Sequence, residues 1–350
     1  MGNCHKEKMT EFGIQDRIFE AIQSGAFHRV SSIVNFAKMT IGIKGFDNLK
    51  TKYSKVITNP MGLSLIFGYH DMFKFMLECG CSTHEMEKCF SITQFNTMEH
   101  ICYKGYIEIL KLYLPITLTE HNNLNNNSPQ SYSILMSTSY SMKSGSLPIH
   151  QACKRGREDI VSYLYKYFKG SECIPKEYDI ESLEEGTGEN CALIACRRGH
   201  LGLIQYLYSE CQANFHIINN YNENAIIVTI AGMNKNPHTR YIQVIKFLIE
   251  EVKIDVKFMY EEALFLSKSK PVYDYLVENL QKSGIMIEKK TVDDTTFEFK
   301  KNVYNYDDPL PEKVITDSFI EGSKNTNIRS RPSSIHWSVS SFDTKDIPLF

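Results

Sequence analysis

The residues of this chain whose types and spacing could do chemistry are few and scattered. The N-terminal run Met1-Gly2-Asn3-Cys4-His5-Lys6 offers two acylation points. Gly2 could take a myristoyl group once Met1 is removed, and Cys4 a palmitoyl group. Two acyl chains hold a protein on a membrane where one does not. Lys6 departs from the Ser or Thr that the myristoylation pattern prefers, while Lys8 adds charge toward an anionic surface. His100 and Cys102 are the nearest thing to a nucleophile and base, but residues two apart on a helix do not face each other. No third, orienting group accompanies them. Cys79-Gly-Cys81 has no second pair at zinc-ligand spacing. Glu184-Glu-Gly-Thr-Gly188 is glycine-rich but lacks the lysine and spacing of a phosphate loop, and reads as a flexible loop. Glu261-Glu262 and Asp293-Asp294 read as solvated surface. The expectation is a chain with no catalytic residue, no cofactor and no metal site.

Two basic clusters are more telling. Lys154-Arg155-Gly-Arg157 and Arg197-Arg198 occupy corresponding places in consecutive segments. Stacking those segments would line them into a ridge, and arginine pairs bidentately with carboxylate or phosphate. Arg155, Arg157, Arg197 and Arg198 are therefore the expected partner-binding residues, for an acidic peptide or a phosphate group. Near the C-terminus, Arg329-Ser-Arg-Pro-Ser333 has the form of a basic-directed phosphorylation site with Ser333 as acceptor.

The composition limits what such residues can serve. The chain has 350 residues, with 39 Lys and Arg against 41 Asp and Glu, a net charge of −2. That balance argues against a broad nucleic-acid surface, which needs a basic excess. With 42% hydrophobic and 23% charged residues, the chain has the makeup of a globular protein. No run approaches the roughly 18 apolar residues of a membrane span, and no secretory leader is evident. Cys102, Cys153 and Cys196 lie in apolar helical surroundings and read as reduced core thiols of a cytoplasmic protein.

The elements that must position these residues repeat. Gly25, Gly68, Gly105, Gly156 and Gly199 share one set of surroundings. Nine residues before them stand Asp16, Asn59, Asn96, Leu147 and Asn190, four of which can cap a helix. Pro60 and Pro148 follow two of the caps, at the first helical position where proline costs nothing. Four residues before each glycine come Ala21, Ser64, Ile101, Ala152 and Ala195, mostly small. After it, apolar residues recur at the fourth, fifth and eighth places, as in Ile160, Val161 and Leu164, or Leu203, Ile204 and Leu207. This is one stripe of an amphipathic helix. Each unit thus reads as cap, short helix, left-handed glycine, second helix. Neither helix can bury its stripe alone, so units must stack and share a core. A looser unit starts at Asn224, with Gly232 closing its first helix and Val244, Ile245 and Leu248 on its second. The last covers residues 261–266 and 271–280, more polar, as a capping unit should be.

The expected fold is an all-α solenoid of stacked helix-turn-helix units with long connections. Its parts are a segment 1–11, divergent repeats over 12–116 and an Asn/Ser-rich loop over 117–146. Repeats ending in a degraded cap follow over 147–285, then a polar, mostly disordered tail over 286–350. Residues 37–58 and 169–189 read as further long loops.

These residues resemble the ankyrin repeat, whose units of about 33 residues run Gly-x-Thr-Pro-Leu-His-x-Ala-Ala-x-x-Gly-His. The fourth unit reads Gly145-Ser-Leu-Pro-Ile-His-Gln-Ala-Cys-Lys-Arg-Gly156, and the fifth Glu189-Asn-Cys-Ala-Leu-Ile-Ala-Cys-Arg-Arg-Gly-His200. The likeness covers roughly 12–285, with long loops where the family has regular turn-shaped fingers. The resemblance implies a protein-binding array without chemistry of its own: a monomeric scaffold or adaptor whose partner is another protein, with no nucleic acid. The alternative it leaves is a recruiting or regulatory subunit whose enzyme is another chain. His150 and His200 fall at family positions that imply structural hydrogen bonds.

Overall fold

The computed structural model describes residues 11–124, 146–171, 174–237 and 240–287. Gly2, Cys4, most of the Asn/Ser-rich stretch and the tail with Ser333 lie outside them, as does the whole of the second unit, residues 290–350.

The described residues form antiparallel helix pairs. The first is α1 (Glu11–Gln23) with α2 (Phe27–Thr40). Next come α3 (Gly42–Asp47) and a hairpin, β1 (Thr51–Tyr53) with β2 (Val56–Thr58), paired in the register Thr51–Thr58 and Tyr53–Val56. The second pair is α4 (Pro60–Phe67) and α5 (His70–Glu78), followed by a single helix α6 (Thr83–Ile92). Then come α7 (Thr97–Lys104) with α8 (Ile107–Leu124), and α9 (Pro148–Lys154) with α10 (Glu158–Phe168). The series closes with α11 (Cys191–Arg198) and α12 (Leu201–Ser209), α13 (Ala225–Lys235) and α14 (Arg240–Glu250), and α15 (Tyr260–Leu266) and α16 (Lys270–Lys282).

Local chemistry explains the pairs. Asn59, Asn96, Asn190 and Asn224 each cap a first helix by accepting from a backbone N–H two or three residues on. Gly25, Gly68, Gly105, Gly156 and Gly199 all have φ between +64° and +81°, the turn that lets the second helix fold back. The predicted stripes are the core: Met72, Phe73, Met76, Ile160, Val161, Leu164, Leu203, Ile204 and Leu207 are all buried. Each such side chain contributes about 1.5–3 kcal/mol on leaving water. Second helices pack in an unbroken row, α2 on α5, α5 on α8, α8 on α10, and so on to α16. First helices follow, with α9 lying directly on α7 and α11 on α9. This is the expected helical solenoid.

Four local expectations need correction. Asp16 caps nothing: the apolar row Ile14, Ile18 and Ile22 carries α1 upstream, and Asp16 is an exposed interior residue. Residues 37–58 are not a bare loop but hold α3 and the hairpin. Gly232 does not end its helix. It lies inside α13, where a methyl group would overlap the backbone oxygen of Arg197, so its role is close helix approach. Residues 184–188 are a closed turn, with Glu184 buried and accepting from Lys154 and Thr187.

Candidate functional site: the junctions between helix pairs

One junction recurs along the stack. The residue after each turn glycine reaches back onto the glycine of the preceding pair: Tyr69 onto Gly25, Tyr106 onto Gly68, Arg157 onto Gly105 and His200 onto Gly156. At two of these junctions its polar atom also meets the carbonyl two residues before that glycine. Tyr106 Oη donates to Ile66 O at 3.4 Å, and His200 Nε2 lies 3.1 Å from Lys154 O. In the α14 pair, Tyr241 Oη donates to Arg197 O at 3.0 Å. Orphan carbonyls at helix ends are thus satisfied by the next pair.

A second row lies at the start of each first helix. His150 Nδ1 accepts the Leu147 N–H at 3.2 Å, so Nε2 carries the proton and donates to Ser182 O at 2.8 Å. Burial holds its pKa below the ordinary histidine value. In α7 the corresponding residue is Glu99. Its carboxyl is pushed up to about 7 by burial, and Oε1 is buried without a hydrogen-bond partner. The adjacent His100 is held down to about 4 by burial, its Nε2 3.2 Å from Ile66 O.

The third row is ionic. Lys154 Nζ donates to Ser146 at 3.0 Å and to the buried Glu184 at 2.6 Å. Arg197 forks to Glu189 and reaches Glu223 at 2.9 Å, while Asn219 donates to the same two carboxylates. Lys154 and Arg197 therefore each tie their own finger turn to the next one. The turns also bond directly: Asn220 N–H donates to Thr187 O at 2.9 Å. Fingers are thus present here, where long loops alone were expected.

The predicted basic residues separate on this geometry. Arg197 is consumed inside the stack and only 17% exposed. Arg157 lies along Gly105 with its Nε buried. Arg155 and Arg198 are exposed, one residue before their turn glycines, and Lys104 holds that same place in α7. Arg155 lies over the Tyr103 ring, 4.3 Å from its centroid. Around His200 lies an open depression of 290 Å³, bordered by Glu158, Arg240 and Gln243. Among the described residues, no group of three or more His, Cys, Asp or Glu could hold a metal ion, and no helix is long and apolar enough to cross a membrane. Cys102, Cys153, Cys191 and Cys196 are free and buried, and burial raises the thiols of Cys102, Cys191 and Cys196 far from reactivity.

Paired helices joined by left-handed glycines, stacked through their turns, define a helical repeat array. Within it, residues 149–259 match the family model of ankyrin repeats in three copies, so this stretch is an ankyrin-repeat array. No curated protein matches the chain. Ankyrin repeats are protein–protein interaction modules and are in general non-catalytic.

Proposed function

We propose that the chain is a non-catalytic scaffold or adaptor that holds an acidic segment of a partner protein along the edge formed by Lys104, Arg155 and Arg198. One observation carries this reading. These three cations occupy the same place in three successive helix pairs, and none forms an ion pair among the described residues. The cations one residue earlier, Lys154 and Arg197, are spent on internal carboxylates. A segment lying across the pairs would meet one unpaired cation per repeat, and exposed charges of this kind mainly set association rate and specificity.

The test is affinity capture with the full chain and with Arg155→Glu plus Arg198→Glu. The partners retained by the parent chain should be lost from the variant and released from the parent by salt. Equal capture by both would end this reading of the edge. A catalytic chain recovered in fixed ratio would favour the recruiting-subunit version. Acylation at Gly2 and Cys4 would place this scaffold on a membrane from the cytoplasmic side, and intact-mass measurement of the cell-derived N-terminus decides it. Phosphorylation of Ser333 is read from the mass of the C-terminal peptides of the same cell-derived chain.

A further inference from the structure

Three cationic residues stand at the junction where the α9 pair packs on the α7 pair. Lys104 ends α7, while Arg155 and Arg157 flank Gly156 in the turn between α9 and α10. The left-handed Gly156 sends both arginine side chains back onto the preceding pair. Arg155 covers the Tyr103 ring, and Arg157 lies so close to Gly105 that a Cβ there would stand 2.7 Å from its Nε. Tyr103 and Gly105 are the chain neighbours of Lys104, so both arginines rest on the backbone turn that carries it. Arg157 Nε is buried and without a hydrogen-bond partner. No ion pair reaches any of the three among the described residues. The nearby Glu158 extends the other way, toward Gly202 of the following pair.

Packing does not require this arrangement. At the place of Arg157 the other pairs carry Tyr69, Tyr106 and His200, rings that cover the preceding glycine without adding fixed charge. A guanidinium there raises like-charge repulsion at a half-buried junction, where screening by water is reduced. A group with two negative charges and several acceptor oxygens would relieve it; a lone carboxylate offers less charge and fewer acceptors.

We propose that Lys104, Arg155 and Arg157 form a binding site for a phosphorylated serine or threonine side chain of the partner protein. The proposal rests on the scaffold reading above and names the chemistry that this junction selects. Arg155 and Lys104 face the ligand from solvent, and Arg157 supplies the partly buried donor.

The probe is a fluorescent library of short degenerate peptides with a central phosphoserine, compared with the same library carrying serine or glutamate. Binding to the full chain is read by anisotropy. The phosphoserine library should bind at least about tenfold more tightly than the other two, the equivalent of one charge-assisted hydrogen bond. Arg157→Tyr restores the residue type of the other junctions, so it should keep the parent's thermal unfolding while abolishing the preference. Lys104→Gln, at a half-exposed position, should weaken the preference without touching the fold. Equal binding of the three libraries, or a preference that survives Arg157→Tyr, overturns the site. Competition by inorganic phosphate without any phosphopeptide preference reduces it to a free-anion site and overturns the peptide assignment. So does binding confined to phosphatidylcholine vesicles doped with a phosphoinositide. Loss of the site with Arg198-dependent partner capture intact leaves the scaffold reading standing, so the two failures are distinguishable.

Discussion

The junctions of residues 146–259 and those of residues 11–104 solve one problem with different chemistry. In the later region, polar side chains join neighbouring pairs: His150 to Ser182, Lys154 to Glu184, and Arg197 to Glu189 and Glu223. In the earlier region, apolar insertions share that work with scattered polar bonds such as His100 Nε2 to Ile66 O. Helix α6 packs on α4 and β2, and Phe90 lies against Gly62, where even a methyl group would collide with it. Phe46, from α3, is likewise fully buried. The polar solution depends on particular residues at fixed repeat positions, and the family match at 149–259 falls where those residues stand. The apolar solution demands only shape and volume, so an array can depart far from the family pattern and still stack.

The sharpest way to break this contrast is to remove one keystone from each region. Arg197→Ala strands two carboxylates, Glu189 at 1% and Glu223 at 6% exposure, and should cost about 3–5 kcal/mol in denaturant unfolding. Phe90→Ala should cost a similar 3–5 kcal/mol through the cavity it leaves. The two losses should respond differently to rescue. Adding Glu189→Gln and Glu223→Gln to Arg197→Met should recover most of the first loss, because no unpaired charge remains. If that triple variant is no better than Arg197→Ala, the polar ladder is not what holds the later pairs together.

A smaller effect is expected at Gly232, where α13 crosses α11. Gly232→Ala should lower stability by about 1–3 kcal/mol through overpacking against the Arg197 backbone. Gly80, around which nothing lies within 4 Å, marks the contrast. Its substitution should cost only the strain of a positive φ, about 1 kcal/mol, and thermal unfolding of both variants checks the ranking.

The smallest effect concerns pH, at the seam between the regions. Glu99 has a folded pKa of about 7, above its ordinary 4.5, so the folded state holds the proton longer and stability falls as pH rises from about 4.5 to 7. His100 has a folded pKa of about 4, below its ordinary 6.5, so the unfolded state holds the proton longer and stability falls as pH drops from about 6.5 to 4. The two slopes oppose each other and should nearly cancel in the parent chain. Glu99→Gln should uncover acid sensitivity of about 1 kcal/mol per pH unit, and His100→Gln the reverse slope, both seen as unfolding midpoints across that range. Parallel curves for all three proteins would show that neither group titrates as its burial dictates.

Much of this was legible in the chain itself. Caps at Asn59, Asn96 and Asn190, the glycines nine residues on, and the apolar stripes are local signals, and each produced the element it announced. Helix α6 was passed over because it falls between repeat units, although Ser82 and Glu85 carried a start signal: the Ser82 side chain accepts from the Glu85 N–H. The turn at 184–188 reads as a flexible loop from sequence because its closure depends on Lys154, which approaches Glu184 only after stacking.

What the residues settled by themselves is the repeating helix pair, since capping, the left-handed turn and the amphipathic stripe act over less than a dozen residues and need no distant partner. Which charges remain available to a ligand was decided only by tertiary structure. Arg197 and Arg198 are neighbours of the same type, yet one reaches buried carboxylates of its own turn and of the next while the other faces outward. A helix turns by about 100° per residue, so adjacent side chains point in different directions, and the stack alone determines what each one meets.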